Sequence, residues 1–303
     1  MDAPVGIHGA AGAVGAATAF ALARAGVRCL VLADAAAPRL ACLAMDLEML
    51  RAALPGLDVA TGGLDALAAC ELVVACAGVR HRDGAPRSAF FAGNAAILAP
   101  LADALERPVA RCRTLVLVSN PVDALATWLQ GRLGARVQVV GHTLNDTLRL
   151  RVAIARARGC DPTDVEAWSV GEHGPHAVPL LSRVRVRGEV VSLSAAERAQ
   201  VLDEVRGWYA RWQVHGTGTT SAWTSGWGVA ALVRALRQGD PRPWPVSTLL
   251  RGTYDVDGVC LTVPALLGPE APPRPLQWRL DADERAAIAA AAAAVEELAC
   301  AAC

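Results

Sequence analysis

The sequence predicts an α/β protein with an N-terminal, doubly wound parallel sheet followed by a C-terminal α+β domain. Short apolar runs in the first half alternate with helical segments, which is typical of a parallel sheet covered by helices on both faces. From about residue 145, charged and apolar residues alternate instead, as in half-exposed antiparallel strands. The 29 basic residues, all Arg, balance 29 acidic residues in a chain that is 53% hydrophobic. This composition favours neither nucleic acid nor a membrane surface as a partner.

Five apolar runs in the first half are the predicted strands of the parallel sheet. The first runs into a glycine turn, Gly26 ends the helix that follows it, and Pro55-Gly56 ends the next helix. The predicted strands are 5–8, 29–33, 72–77, 114–118 and 137–141, and the helices with the clearest ends are 13–25 and 39–53.

The second half begins with an Arg-rich helix and is more mixed in character. Alternation over 182–188 predicts a half-exposed antiparallel strand. Two further strands and three further helices follow, at 246–250 and 259–263, and at 195–211, 224–236 and an Ala-rich C-terminal segment. We therefore predict two domains, 1–144 and 145–303.

A glycine-rich turn between the first strand and the first helix predicts a dinucleotide site. Glycines there let the backbone approach a pyrophosphate, and the N-terminus of the helix offers free N–H groups to its charge. Asp34 ends the second strand about twenty residues on, where a carboxylate can accept both ribose hydroxyls and would repel a 2′-phosphate. The sequence therefore predicts a Rossmann-type domain that binds NAD rather than NADP through Gly9, Gly12, Ala13, Val14, Gly15 and Asp34.

Four further segments, taken in order, resemble the lactate/malate dehydrogenase family. They are GAPR at 84–87, SNPVD at 119–123, NDTLRLR at 145–151 and GEHG at 171–174. The resemblance extends over essentially the whole chain, and the VPL stretch at 178–180 makes it closest to malate dehydrogenases of the lactate-dehydrogenase-like type. It implies an NAD-dependent dehydrogenase acting on the CH–OH group of a 2-hydroxy acid.

The resemblance implies three catalytic residues, and their chemistry supports the roles. Reducing a ketone needs a proton opposite the hydride, and His173 can supply it because imidazole titrates near neutrality. Asp146 would fix the tautomer and stabilise the imidazolium, and Arg87 would close over the site and polarise the carbonyl. Taken singly, each has a plainer interpretation, such as a solvated loop charge for Arg87 or, with Arg149, a surface ion pair for Asp146.

The resemblance also implies residues that hold the substrate and the cofactor. Arg149, three residues after Asp146 on the same helix face, would clamp the substrate 1-carboxylate with two hydrogen bonds. Asn120 would hold the substrate oxygen or the nicotinamide ribose, and Thr220 would line the pocket. Further cofactor contacts are implied at Ala77, Gly78, Asn94 and Val118.

The sequence departs from the family pattern beside the substrate. The position that separates lactate (Gln) from malate (Arg) specificity is His81 here, between Arg80 and Arg82. Pro86, Asn145 and Pro175 are further departures, whereas the hydride and proton machinery is intact. We therefore expect a substrate other than lactate, one that carries a polar or anionic substituent on its 3-carbon. Two alternatives remain: an ordinary malate dehydrogenase, with Arg80 or Arg82 at the specificity position, and a catalytically weak paralogue that serves binding or structure.

Expectations about location and partners are simple. No basic segment followed by an apolar stretch follows Met1, so we expect no secretory signal and a cytoplasmic location. We expect a homodimer or homotetramer that acts on a small 2-oxo or 2-hydroxy acid, with no metal, nucleic acid or membrane involved.

Overall fold

The computed structural model describes residues 3–79, 87–216, 220–269 and 271–300, with only the backbone at Arg87 and Ser88. Six parallel strands form the first part of the main sheet, in the order β3-β2-β1-β4-β5-β6. The order reverses between β1 and β4, and ligands of such sheets bind outside the carboxyl ends of the strands at this point. The strands are β1 (Val5–His8), β2 (Cys29–Ala33), β3 (Asp58–Thr61), β4 (Leu72–Ala75), β5 (Thr114–Leu117) and β6 (Gln138–His142).

Helices cover both faces of this sheet, which explains why its central strands are apolar without alternation. Five helices fall in the first half: α1 (Ala13–Arg24), α2 (Ala37–Met49, continued by a 3-10 turn at Leu50–Ala52), α3 (Leu64–Ala68), α4 (Arg87–Glu106) and α5 (Val122–Leu133). One buried cluster lies under α3, α4 and α5, and another lies under α1 and α2. The predicted Rossmann-type doubly wound sheet is confirmed.

The second half adds antiparallel strands to the same sheet. Its helices are α6 (Leu144–Arg158), α7 (Ala195–Arg206), α8 (Trp208–Gln213), α9 (Ala222–Gln238) and α10 (Ala282–Cys300). Its strands are β7 (Val165–Glu166), β8 (Ser169–Gly171), β9 (Ala177–Pro179), β10 (Arg185–Val186), β11 (Glu189–Val190), β12 (Asp240–Arg251), β13 (Asp257–Leu267) and β14 (Arg274–Pro275).

The two halves share one sheet of 11 strands. β12 pairs antiparallel with β6 at Val246 and His142, and the sheet then continues through β13, β8 and β9. β7, β10 and β11 form a separate three-stranded antiparallel sheet. The continuity matters for the site, because β8 leads directly into the GEHG segment and is connected to β6 through β13 and β12.

Local details differ from the sequence prediction in two places. The helix predicted over 195–211 is interrupted at Gly207, which separates α7 from α8. The strand predicted over 182–188 is a 3-10 turn at Leu181–Arg183 followed by the two-residue strand β10. Both corrections have the same cause: periodicity does not reveal where a short segment must bend to follow its neighbours.

Helix α4 contains a segment, Ala89–Glu106, that is long and apolar enough to cross a membrane by length and composition alone. Leu98, Leu101 and Leu105 on this helix are at most 1% exposed within the main core. Packing inside the fold therefore accounts for its apolar character.

Candidate functional site

The glycine turn after β1 packs closely against the neighbouring backbone. Gly9 has a φ of +78°, and a Cβ there would lie 2.4 Å from the main-chain N of Ala77. A Cβ on Gly15 would lie 2.1 Å from the carbonyl oxygen of Gly9, so α1 and the turn can pack together only with glycine at this position. The turn thus brings the N-terminus of α1, which begins at Ala13, to the edge of the sheet.

Asp34 follows β2 and ties this turn to the neighbouring strand. One carboxylate oxygen accepts a hydrogen bond from the N–H of Ala11 at 2.9 Å, and the other accepts one from the N–H of Ala36 at 2.8 Å. The side chain is half-buried, and each oxygen keeps a further lone pair for a ribose hydroxyl. The glycine cradle and this carboxylate fit an NAD adenosine with its pyrophosphate.

The buried side chain of Asn94 bonds the loops after both β4 and β5. Asn94 on α4 accepts from the N–H of Val79 at 2.7 Å and donates to the carbonyl oxygen of Asn120 at 2.5 Å. A Cβ on Gly78 would lie 3.1 Å from the Asn94 Oδ1. Asn94 therefore sets the distance between the two loops, and the cofactor contact predicted for it stays a prediction.

The neighbouring positions line the same edge. The N–H of Val118 donates to the carbonyl oxygen of Ala75 at 2.9 Å, and the Ser119 hydroxyl donates to that of Ala77 at 2.6 Å. The side chain of Asn120 is exposed at this edge, and its peptide bond to Pro121 is cis. The sequence-predicted residues of the two loops thus lie together at the carboxyl ends of the strands.

His173 and Asp146 form a direct pair. The imidazole Nδ1 lies 2.5 Å from Asp146 Oδ2, with side chains 18% and 14% exposed. Burial alone would lower the pKa of His173, but the charge and hydrogen bond of Asp146 outweigh it, so the pKa is raised. Burial would raise the pKa of Asp146, but His173 and then Arg149 outweigh that effect and lower it.

The other oxygen of Asp146 holds Arg149. The Arg149 Nη1 donates to Asp146 Oδ1 at 3.0 Å, and both side chains are largely buried, so this is no surface ion pair. The Arg149 guanidinium also lies over the Trp208 ring, 3.8 Å from its centroid. Burial lowers the pKa of this guanidinium, but an arginine remains charged at any physiological pH.

A second polar cluster lies behind Asp146. Asn145 donates from Nδ2 to Ser225 Oγ at 2.9 Å, and Ser225 donates to the carbonyl oxygen of Ser221 at 2.5 Å. His142 packs where Gly228 has no side chain, since a Cβ there would lie 2.6 Å from the imidazole Cε1. Burial lowers the pKa of His142 to about 4, so this imidazole is neutral at pH 7.

Several predicted site residues lie outside the described residues. They are Arg80 and His81, with the neighbouring Arg82 and Pro86, and the side chain of Arg87, whose backbone begins α4. Thr220 is described and exposed just before α9. Among the described residues, no group of three or more His, Cys, Asp or Glu side chains is placed to hold a metal ion.

Comparison with known proteins agrees with this geometry. The family model for the lactate/malate dehydrogenase NAD binding domain matches residues 3–139. A malate dehydrogenase of Halobacterium salinarum is 33% identical over 286 residues, which is 93% of each chain. The chain belongs to the lactate/malate dehydrogenase family. It is an NAD-dependent dehydrogenase of the type that acts on the CH–OH group of a 2-hydroxy acid.

Both branches of the family are similar to the chain. An L-lactate dehydrogenase of Synechococcus sp. is 32% identical over 232 residues, or 74% of each chain. The crystal structure of a minor L-lactate dehydrogenase from Enterococcus mundtii has a TM-score of 0.87 at 25% identity, covering 98% of this chain and 97% of that one. Similarity to both branches leaves the substrate to be argued from the site.

Two residues at the site have no role predicted from the sequence. Asp123 belongs to the SNPVD segment, and its carboxylate accepts from the main-chain N–H of His173 at 2.6 Å. Its place in this segment, which follows a predicted strand at the predicted site edge, is a sequence signal that could have identified Asp123 as a site residue. Trp208 lies in a different helix from Arg149, and no spacing in the sequence points to their contact.

The cofactor turn generates a prediction about Gly12. A Cβ on Gly12 would meet only the Gly9 carbonyl oxygen at 3.4 Å, an ordinary contact, so the Gly12→Ala protein should fold with an unchanged melting temperature. Its NADH affinity should nevertheless fall by about tenfold or more, because the methyl group occupies the space that a pyrophosphate approaches. Fluorescence titration of NADH measures this change.

Gly63→Ala is the matched control, because Gly63 also precedes the first residue of a helix and has open space around its Cα. This variant should bind NADH normally. Unchanged NADH binding by Gly12→Ala would contradict the assigned cofactor position.

Proposed function

We propose that this enzyme interconverts a 2-oxo acid and its 2-hydroxy acid through a His173–Asp146 proton relay, on a substrate with a polar or anionic 3-substituent. The observation that carries the proposal is that one carboxylate, Asp146, bonds both His173 Nδ1 at 2.5 Å and the Arg149 guanidinium at 3.0 Å. A proton donor and a carboxylate clamp are thereby held by the same group.

His173 is the proton donor in the reducing direction. Asp146 occupies Nδ1, which leaves Nε2 as the nitrogen that delivers a proton to the carbonyl oxygen. The raised pKa of His173 keeps the imidazolium populated above the ordinary titration range of histidine. Reduction should therefore decline as the pH rises through that raised pKa, at a higher pH than for an ordinary histidine.

Arg149 binds the substrate 1-carboxylate. Asp146 takes one nitrogen of its guanidinium and the Trp208 ring covers one face, so the remaining donors are directed to an anion in a fixed plane. Holding the carboxylate fixes the 2-carbon relative to His173, and such orientation contributes much of the rate of an enzyme.

The remaining roles follow the family pattern. Arg87 would polarise the carbonyl, Asn120 would hold the substrate oxygen or the nicotinamide ribose, and Thr220 would line the pocket. His81, with Arg80 beside it, would contact the 3-substituent. These two cationic or hydrogen-bonding side chains favour a polar or anionic substituent over the methyl group of pyruvate.

NAD supplies the hydride acceptor and donor when bound. The turn of Gly9, Gly12 and Gly15 and the N-terminus of α1 would hold its pyrophosphate, and Asp34 its ribose. Ala77, Gly78 and Val118 would line the path toward the substrate. In this arrangement the residues of the chain would orient both reactants.

A panel of 2-oxo acids, with NADH and NADPH in parallel, tests the proposed function. We expect NADH-dependent reduction with the highest kcat/KM on a substrate with a polar or anionic 3-substituent. His173→Gln should lose at least about a hundredfold in kcat and keep its NADH affinity, because only the proton donor is removed. The outcomes separate the alternatives: oxaloacetate far above every other substrate indicates an ordinary malate dehydrogenase, and no turnover indicates a binding or structural protein.

The contact between Arg149 and Trp208 generates a further prediction. Replacing Trp208 by Leu removes a cation–π contact of about 1 kcal/mol, so KM for the 2-oxo acid should rise about fivefold with kcat changed less. Trp208→Phe keeps an aromatic face and should restore most of the affinity. Steady-state kinetics at saturating NADH measure both, and equal KM values for the Leu and Phe variants would refute the role of Trp208.

We further propose a homodimer or homotetramer in the cytoplasm. The closely packed helices α1 and α9 expose large apolar side chains at Phe20, Trp223 and Trp227, which are 46%, 81% and 57% exposed. Exposed apolar surface of this kind favours association. Sedimentation velocity should give at least twice the chain mass of 31.4 kDa, and Trp223→Glu with Trp227→Glu should lower it; a monomeric unmodified protein would refute the proposal.

A further inference from the structure

Thr220, which would line the substrate pocket, belongs to a segment with little anchoring of its own. None of the residues 220–224 is buried, and Trp223 is 81% exposed. Ser221, at the N-terminus of α9, makes no capping hydrogen bond with its side chain within the described part of the chain. Ser225 is the first buried residue of the segment, at 6% exposed. The position of Thr220 therefore depends on what holds Ser225.

Two hydrogen bonds hold the Ser225 hydroxyl. It accepts from Asn145 Nδ2 at 2.9 Å and donates to the carbonyl oxygen of Ser221 at 2.5 Å. Asn145 is 8% exposed and lies in the first turn of α6, directly before Asp146. A chain of hydrogen bonds thus runs from the residue beside the relay carboxylate to the residue beside Thr220. Because its side-chain members are buried, breaking it leaves polar groups unpaired.

The rest of α9 is held by close packing at two glycines. A Cβ on Gly226 would lie 2.6 Å from the main-chain carbonyl carbon of Ala17 in α1, and a Cβ on Gly228 would lie 2.6 Å from the Cε1 of His142. The helix therefore packs against both the helix that follows the cofactor turn and the end of β6. These contacts fix α9 from Gly226 onward, so the freedom that remains lies in the turn before it.

We propose that Asn145 and Ser225 are positioning residues for the substrate pocket. Their hydrogen bond holds the N-terminal turn of α9, which leads from Thr220, against the first turn of α6, which carries Asp146. The inference rests on the proposed function, in which Thr220 lines the pocket. A neutral amide makes this contact without adding a charge beside Asp146, so the relay and the clamp are left as they are. Asn145, a departure from the family pattern, thereby acquires a role in substrate fit.

Removing either partner should weaken substrate binding more than turnover. In Asn145→Leu and in Ser225→Ala, KM for the preferred 2-oxo acid should rise about fivefold or more, as expected for the loss of one hydrogen bond. The value of kcat should change less, because Asp146, His173 and Arg149 keep their contacts. Steady-state kinetics at saturating NADH measure both constants, and unchanged KM values in both variants would overturn the proposal.

The Asn145→Leu/Ser225→Ala double variant separates positioning from stability. Ser225→Ala alone leaves a buried amide unpaired and should lower the melting temperature, whereas the double change places apolar groups on both sides and should recover part of that loss. KM should nevertheless stay at about the raised value of the single variants, because all three have lost the same contact. A KM that returns to normal together with the melting temperature would show that the pair is merely structural.

Thr127→Val is the matched control. The Thr127 hydroxyl, like that of Ser225, donates to a carbonyl oxygen four residues back in its helix, that of Asp123 at 2.8 Å. It also accepts from another element, the N–H of Cys260 at 2.9 Å. Its loss should lower the melting temperature and leave KM near its normal value. A rise in KM equal to that of Ser225→Ala would show that any lost hydrogen bond loosens the pocket, which contradicts the proposal.

Hydrogen exchange gives a measurement that needs no turnover. The main-chain N–H groups over 220–225 should exchange faster in Ser225→Ala than in the unmodified protein, whereas those over 229–238 should exchange as before. Unchanged exchange over 220–225 would overturn the proposal even in an active enzyme. Faster exchange in a protein that reduces no 2-oxo acid would support the positioning of this turn by Asn145 while the proposed function fails.

Discussion

The site depends on the two hydrogen bonds of the Asp146 carboxylate. One oxygen bonds His173 and the other bonds Arg149, so the proposed proton donor and the proposed substrate clamp share a single anion. Burying these two cations would be far more costly without it, because an unpaired buried charge is penalised. The carboxylate thus stabilises both partners and fixes their positions relative to each other, so that they could contact the adjacent 1-carboxylate and 2-carbonyl groups of one substrate.

This carboxylate is held in place by the continuity of the sheet. β6 ends at His142 and α6 begins two residues later, so Asp146 lies in the first turn of the helix, where the macrodipole favours a negative charge. β8 reaches the same edge through β13, with Gly171 paired to Thr262. His173 then follows two residues after the end of β8. The antiparallel strands of the second half therefore position the proposed proton donor against the first half.

Sequence patterns predicted the parallel part of the fold well because most of its strands carry a local signal, whereas the short strands of the second half do not. The apolar runs, Gly26 and the Asp34 strand end are local features, and the helix at 195–211 failed only at Gly207, where the bend serves the packing of its neighbours. The site was harder to predict from the sequence. His173 and Asp146 are 27 residues apart and His173 and Asp123 are 50 apart, so their contacts exist only after the chain folds. Family resemblance supplied the first pair, the place of Asp123 in the SNPVD segment marked only its closeness to the site, and nothing in the sequence marked the stacking of Trp208 on Arg149.

Of the departures from the family pattern, Asn145 and Pro175 lie within the described residues, Asn145 next to Asp146 and Pro175 directly after the GEHG segment. Asn145 bonds Ser225 near the buried His142, and Trp208 covers Arg149. If His142 were protonated, its positive charge would compete with His173 and Arg149 for the Asp146 carboxylate. Burial lowers the pKa of His142 to about 4 and keeps it neutral. Because His142 is neutral, Asp146 interacts with only two charged partners among the described residues, His173 and Arg149. Residues around this carboxylate can therefore differ from the family pattern without weakening those two interactions.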